Sequence, residues 1–377
     1  MTVLILGFPR DIHIHAVRWA LDQIGVDHHT LYTPDMPGRL RASVHVSDHG
    51  SDGAPATASF RSGPVHGMTG RYETVWYRRS GEAMRPPGMA DADWTVAARE
   101  CDHHIRSLRR CLAPDAHWVN DLDAREQARL KVPQLIAARA CGLPIPETLC
   151  SNDPEEIRRF YAEHRSHGVI FKLNVQTYWA GPGGASHVLF TTALRDEDLT
   201  DAEALSSCPA IYQRKVEKAY ELRVTCMDER CFTVRLDSQS RDLTRMDWRA
   251  DLRAPLTPTL HELPPAVEER CILLMRRLGL TFGCIDLIVT PQGEHVFLEV
   301  NEMGQFLWVE QDEPRCPMLR AFATLLSQKR LDHLSPLAGS DRISFDAFLN
   351  SGAWERACAE DEARHVRYDA LRAVSEA

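Results

Sequence analysis

Runs and periodicities of apolar residues divide the chain into strand-like and helix-like stretches. VLILG, near the start, is a continuous apolar run of the buried-strand type, and IHIHAVRWALDQIG carries its apolar residues on one helical face up to Gly25. RASVHVSD and ASFRS alternate like half-buried strands on either side of a Gly/Pro/Ser-rich turn, TVWYRRS reads as another strand, and Asp91 to Cys111 as a helix. Residues 1–115 therefore read as an α/β unit, one that lacks the G-x-G-x-x-G turn of dinucleotide-binding folds. From about Asn120 the composition shifts. DAREQARLKVPQLIAARACG predicts one helix stopped by glycine, SNDPEEIRRFYAEH a second with a good cap, and GVIFKL a strand with Lys172 near its end. The tract WAGPGGAS, Trp179 to Ser186, reads as a mobile lid or a plain loop, and HVLFTTAL as a strand after it. AIYQRKV, the pair ELRVTCMDERCFTVRLDSQ, a loop with Asp247-Trp248-Arg249 and the helix PPAVEERCILLMRRLG lead to a last strand pair, and the stretch from about Leu331 is charged and helix-like.

That last pair, FGCIDLIVTPQGEHVFLEVN, is the most informative stretch of the sequence. With Gln292-Gly293 as a two-residue loop, Pro291 pairs with Glu294 and Asp286 falls opposite Glu299. Asn301, two residues beyond Glu299, leaves the same face, while Ile285, Leu287, Leu298 and Val300 make the opposite, core face. Carboxylates facing each other across a sheet destabilise it unless a cation lies between them, or unless both merely face water. Two acids and an amide are oxygen donors suited to Mg²⁺, with phosphates completing the shell.

Composition narrows the classes. A 377-residue chain with 44% hydrophobic and 26% charged residues has room for two or three globular domains. The net charge of −9 argues against a general nucleic-acid partner, and no apolar run approaches the length of a membrane span. Eleven cysteines without a C-x-x-C pair point to free thiols and a reducing cytoplasm. Seventeen histidines, among them His13, His15 and the adjacent His28-His29 and His103-His104, lack the spacing of a zinc site.

Lys131 on a helix and Lys172 on a strand before a glycine-rich tract are placed to meet phosphate oxygens, although most lysines simply face solvent. The second hairpin brings Arg223 and Arg235 within about one residue of each other across the strands. Either an anion lies between them, or each pairs with a local acid such as Glu221 or Asp237. Two lysines, two arginines and a three-oxygen metal site, in that order, make a phosphoryl-transfer set, with no P-loop and no protein-kinase motifs.

The order Lys131, Lys172, IYQRKVEKAYELRV, RLDSQ, DWR and LGLTFGCIDLIVTPQGEHVFLEVNEMGQFLWVE resembles the ATP-grasp superfamily, and within it the microviridin-type peptide maturases, or graspetide synthetases. The similarity runs from about Asn120 to Glu310, and VWYRR resembles a tract of the same family. The resemblance implies an ATP-grasp fold: a pre-ATP-grasp α/β domain over 1–115, two α+β subdomains over 116–210 and 211–330 that clasp ATP, and a helical extension over 331–377. It implies that Lys131 and Lys172 contact ATP phosphates, and that Gln213, Arg214, Lys215 and Val216 form the hinge strand holding adenine, largely through backbone groups. Glu221 would bind the ribose hydroxyls and Arg223 the γ-phosphate and acyl phosphate, with Arg235 assisting. Asp286, Glu299 and Asn301 would hold Mg²⁺. Such enzymes activate Asp or Glu side chains of a ribosomal precursor peptide as acyl phosphates, and a Ser/Thr hydroxyl or a Lys amine then closes a macrocyclic ester or amide. Homodimers are common among them, though no stretch of this chain demonstrates one. Arg214 stands where many relatives carry Glu, LNVQTYWAGPGGASHV differs from the shorter loop expected, and the tail beyond about residue 330 exceeds the usual end of the family.

Two other functions share these residues. An ATP-grasp ligase that adds amino acids to a protein terminus or a small metabolite, like the ribosomal-protein glutamate ligases, has the same ATP chemistry. A non-catalytic nucleotide-binding module would be marked by decayed metal ligands, and here all three stand.

Overall fold

The computed structural model describes residues 1–48, 56–175, 178–180, 186–251 and 253–367. They form two compact units. One comprises Met1–Leu122, Met227–Glu229 and the described residues from Pro317 on; the other comprises Asp123–Cys226 and Arg230–Cys316.

The first unit is built on a four-stranded parallel sheet in the order Asp27–Tyr32, Thr2–Gly7, Thr74–Tyr77, His117–Val119. All of Val3 to Gly7 is buried, as a parallel strand covered on both faces requires. The helix Ile12–Gln23 starts at Asp11, whose side chain accepts from the His13 amide, and ends before Gly25 at φ 68°. The alternating tracts form a small antiparallel sheet, Leu40–Val46, Ala56–Ser62 and Val65–Met68.

The tail belongs to this unit. Its helices Phe345–Asn350 and Ala353–Arg364 pack on Ile12–Gln23. Asp361, 2% exposed, accepts hydrogen bonds from His15 Nε2 at 2.8 Å and the Arg10 amide at 2.6 Å. A buried carboxylate must be paired in this way, and the pair ties residues 346 positions apart. Among the described residues no group of three or more His, Cys, Asp or Glu side chains could hold a metal, and no helix is long and apolar enough to cross a membrane.

The second unit holds two larger sheets. One is ordered Thr192–Ala193, Val169–Lys172, Ala210–Arg214, Thr148–Ser151; the other is ordered Thr259–Leu260, Arg230–Leu236, Tyr220–Met227, Phe282–Val289, His295–Asn301. A core of Leu222, Val224, Ile285, Leu287, Phe297 and Val300 lies between the second sheet and the helices Lys131–Ala140 and Pro265–Arg277. Tyr178–Ala180 and Ser186–Val188 pair as a two-stranded hairpin. Residues 181–185, the centre of the glycine-rich tract expected to be a lid or loop, lie outside the described residues.

Three local expectations are corrected. The single helix predicted from DAREQARLKVPQLIAARACG is two, Leu122–Ala128 and Lys131–Ala140, with Leu130 extended between them. Pro133 has no amide to donate to residue 129, so the chain restarts the helix with proline in its first turn. The strand predicted from HVLFTTAL is two short pieces, Ser186–Val188 and Thr192–Ala193. The last hairpin closes through the three residues Pro291–Gly293 rather than two, with Thr290 facing Glu294 through amide-to-carbonyl and amide-to-hydroxyl bonds and Gly293 at φ 84°. A bulge then restores the register: Leu287 pairs with Phe297, yet Asp286 pairs with Glu299. Leu298 is the extra residue, so it leaves the core face and Phe297 takes its place.

Candidate active site

Register and alternation place an apolar and a charged residue of each wall strand on one cleft. Ile170 and Lys172 come from Val169–Lys172, and Ile288 and Asp286 from Phe282–Val289. Gln213, Arg214, Lys215, Val216, Glu221, Leu298 and Glu299 complete the wall with the loop Met246–Arg249. A second cleft adjoins it through Lys172, Thr191, Asp247, Arg249 and Glu299, and adds Lys131 and Asn301. Ten of the twelve residues expected at the site therefore line one of two joined clefts; Arg223 is reached through Asp286, and Arg235 lies apart, as follows.

Arg223 and Asp286 form a buried ion pair, Nη1 to Oδ1 at 2.9 Å, and Nη2 donates to the Gln305 carbonyl at 3.2 Å. A Cβ at Gly304 would overlap Cys284 Sγ and come within 3.0 Å of Arg223 Nη2. The glycine of E-V-N-x-x-G is thus required for a close approach rather than for its backbone angle. Glu299 meets Lys131 Nζ at 2.9 Å and Arg249 Nη1 at 3.8 Å. Lys131, first among these cations, holds the Glu299 carboxyl far below the usual carboxylate range. Burial lowers the pKa of Lys172, opposed by the charge of Glu299. Burial also raises that of Glu221, whose carboxylate is met by Lys218 Nζ at 2.9 Å.

Lys131 owes its position to the helix break. It is the first residue of its helix, and three residues on, the buried Gln134 binds the Val300 amide and carbonyl, both at 2.9 Å, and the Ala128 carbonyl. One side chain thereby fastens the helix start to the strand that carries Glu299 and Asn301. In the hinge tract, the amides of Arg214 and Lys215 are taken by the carbonyls of Glu147 and Gly168, both at 2.9 Å.

Arg235 does not join the cluster. Its guanidinium lies 4.0 Å from the centre of the Tyr220 ring and pairs with Asp237 at 3.0 Å. Residues one position out of register across a pair of strands leave opposite faces, and the local acid is the partner. In its place stands a cation not assigned in the sequence, Arg249, bound through two nitrogens to Asp247 at 2.9 and 3.0 Å. Asp247, 5% exposed, also accepts from Thr191, and its carboxyl is held below the usual range by Arg249 against the opposing effect of burial. The D-W-R triplet was the only signal for it.

The donor set fits Mg²⁺. Asp286 and Glu299 face each other across the strands, and Asn301 Oδ1, which accepts from the Met303 amide at 3.1 Å, keeps a second lone pair. All are hard oxygen donors, and three protein donors leave room for phosphate oxygens.

No family model matches the chain. A curated relative, the probable alpha-L-glutamate ligase of Xanthomonas euvesicatoria pv. vesicatoria (strain 85-10), is 26% identical over 199 residues; the match covers 52% of this chain and 63% of that protein. This chain thus spans less than two thirds of the curated relative's length. Among solved structures, the RiPP-associated ATP-grasp ligase of Chryseobacterium gregarium, in complex with ADP and a leader and core peptide, is 25% identical, with a TM-score of 0.78 over 90% of this chain and 99% of that one. The macrocyclase MdnC of Microcystis aeruginosa MRC, bound with precursor peptide MdnA, is 31% identical, with a TM-score of 0.76 over 87% of this chain and all of that one. With the paired carboxylates and their cations in a cleft between two α+β layers, the chain belongs to the RiPP-associated ATP-grasp macrocyclases.

Proposed function

We propose that the protein is an ADP-forming ligase that uses ATP and Mg²⁺ to activate Asp or Glu side chains of a ribosomal precursor peptide, and closes them onto a hydroxyl or amine as macrocyclic esters or amides. The observation that carries this is the 31% identity to a peptide-bound macrocyclase along that protein's whole length. The free cysteines fit a cytoplasmic site of action. We read 1–115 as the pre-ATP-grasp domain, 116–210 and 211–330 as the grasp subdomains, except that the described residues from Pro317 on group with the first unit, and the described part of 331–377 as an extension.

In this reading adenine lies against Ile170, Ile288 and Leu298 beside the hinge Gln213 to Val216, and Glu221 binds the ribose hydroxyls. Lys131 and Lys172 take phosphate oxygens. The burial that lowers the Lys172 pKa is offset when phosphate charge arrives. Asp286, Glu299 and Asn301 would hold Mg²⁺, which spreads the charge of the transferred phosphoryl group. Arg223, oriented by Asp286 and Gln305, and Arg249, oriented by Asp247, present donors to the phosphoryl oxygens as the substrate carboxylate attacks. A nucleophile of the same peptide held close to the acyl phosphate then attacks the acyl carbon, loses its proton and expels inorganic phosphate. Arg235 has no part.

Addition of an amino acid, as the name of the curated relative suggests, is the second reading. Both require the carboxylate pair. Asp286→Ala and Glu299→Gln are each expected to lower ADP formation at least about 100-fold while the protein still melts cooperatively. A wild-type rate in either variant contradicts the metal assignment.

A further inference from the structure

The small antiparallel sheet of the first unit carries a row of charge that the ATP chemistry does not use. Arg41 pairs directly with Arg61 on the next strand, and Arg61 with His66 on the third. All three are exposed, while Phe60 and Gly67, one residue along, are buried. Arg71 joins the same groove, with Ser43, Ser59 and Met68. Like charges directly opposite one another destabilise a sheet unless something neutralises them.

Among the described residues no carboxylate does so. Arg85, Arg106, Arg158 and Arg165 each lie against a carboxylate. Among the described residues Arg41, Arg61 and Arg71 have no carboxylate within 4.0 Å. Arg41 donates to the carbonyls of Pro37 and Gly38, Arg71 donates to that of His66 at 2.9 Å, and the Arg61 guanidinium has no hydrogen-bond partner among the described residues. Carbonyl bonds orient a guanidinium without cancelling its charge. In a chain of net charge −9 this is a local excess of unneutralised cations.

We propose that this groove docks an acidic segment of a peptide, held by side-chain carboxylates on the arginine row. The inference rests on the reading of the chain as a peptide-modifying ligase. Neighbouring strands lie about 4.8 Å apart, so a row across three of them spans roughly 10 Å, the reach of two carboxylates on an extended chain rather than of one small anion. Guanidinium groups engage such carboxylates through paired hydrogen bonds. A nucleic acid would meet the repulsion of the whole acidic molecule, whereas a short acidic segment meets only the groove.

The test is fluorescence anisotropy of the full chain with short labelled peptides of alternating Glu and Ser, or Gln and Ser, and with a labelled oligothymidylate. The Glu peptide should bind, weaken with salt, and lose at least about tenfold in affinity in the double variant Arg41→Glu/Arg61→Glu. Arg41→Gln/Arg61→Gln, milder at exposed positions, should show an intermediate loss, and ATP affinity should not change in either. Unchanged affinity in both variants, equal binding of the Gln peptide, or tighter binding of the oligothymidylate overturns the proposal. ATP-dependent ligation without Glu-peptide binding contradicts the groove alone. Glu-peptide binding sensitive to the arginines, with no ligation of any peptide, contradicts the ligase reading and leaves the groove standing.

Discussion

Arg223 is fixed by the Asp286 carboxylate and the Gln305 carbonyl, beside the space kept open by Gly304. A donor held in this way meets developing charge without reorganising, which is where electrostatic catalysis gains most. Arg223→Ala is therefore expected to slow ligation by about 10²- to 10³-fold with ATP affinity largely kept. Arg235→Ala, which removes a guanidinium stacked on Tyr220, should ligate at close to the wild-type rate. Steady-state kinetics and nucleotide titration of both variants check this, and equal losses in the two would contradict the separation of their roles. At this scale the sequence was legible for position where chemistry and spacing agreed, as for Asp286, Glu299 and Lys172, which share the cleft. Closeness across the strands points to Arg235 as a partner of Arg223, but the alternation of faces turns it to Tyr220 and Asp237. Arg249 escaped assignment because it lies on a loop, where no periodicity says which way a side chain points.

Two elements position the charged groups. The last hairpin reaches the Asp286–Glu299 pairing by a route the sequence did not reveal, in which a three-residue loop shifts the register by one and the bulge at Leu298 shifts it back. Hydrophobicity alone placed Leu298 in the core; the bulge turns it to the cleft instead, and such irregularities leave no trace in an alternating pattern. The second element is the broken helix. Pro133 marks the break that the single-helix expectation passes over, and the role of Gln134 depends on a contact 166 residues away. Replacing Gln134 with Ala leaves buried backbone groups of Val300 and Ala128 without partners, at a cost of about 1–3 kcal/mol. It should also loosen Lys131 from Glu299. Thermal unfolding together with the KM for ATP tests this: both should worsen, and a lowered melting temperature with an unchanged KM would show that Gln134 serves the fold and not the site.

At the scale of the whole molecule, the chain forms two units with separate cores. The first returns to itself late in the chain, because Asp361 and the helices Phe345–Asn350 and Ala353–Arg364 pack on Ile12–Gln23, the helix that follows the first strand. The charged, helix-like pattern announced those helices but not their docking place, since the partners of His15 and Arg10 lie about 350 residues away. The second unit holds the cleft with its carboxylates, lysines and arginines, and that constellation together with the likeness to MdnC supports peptide macrocyclisation. The most direct test is intact-mass analysis of a Ser/Thr- and Asp/Glu-bearing precursor peptide incubated with the protein, ATP and Mg²⁺. Macrocyclisation predicts the loss of one water per ring, one ADP formed for each, and neither event with Glu299→Gln. A gain in mass equal to an added amino acid would contradict macrocyclisation and favour the glutamate-ligase reading.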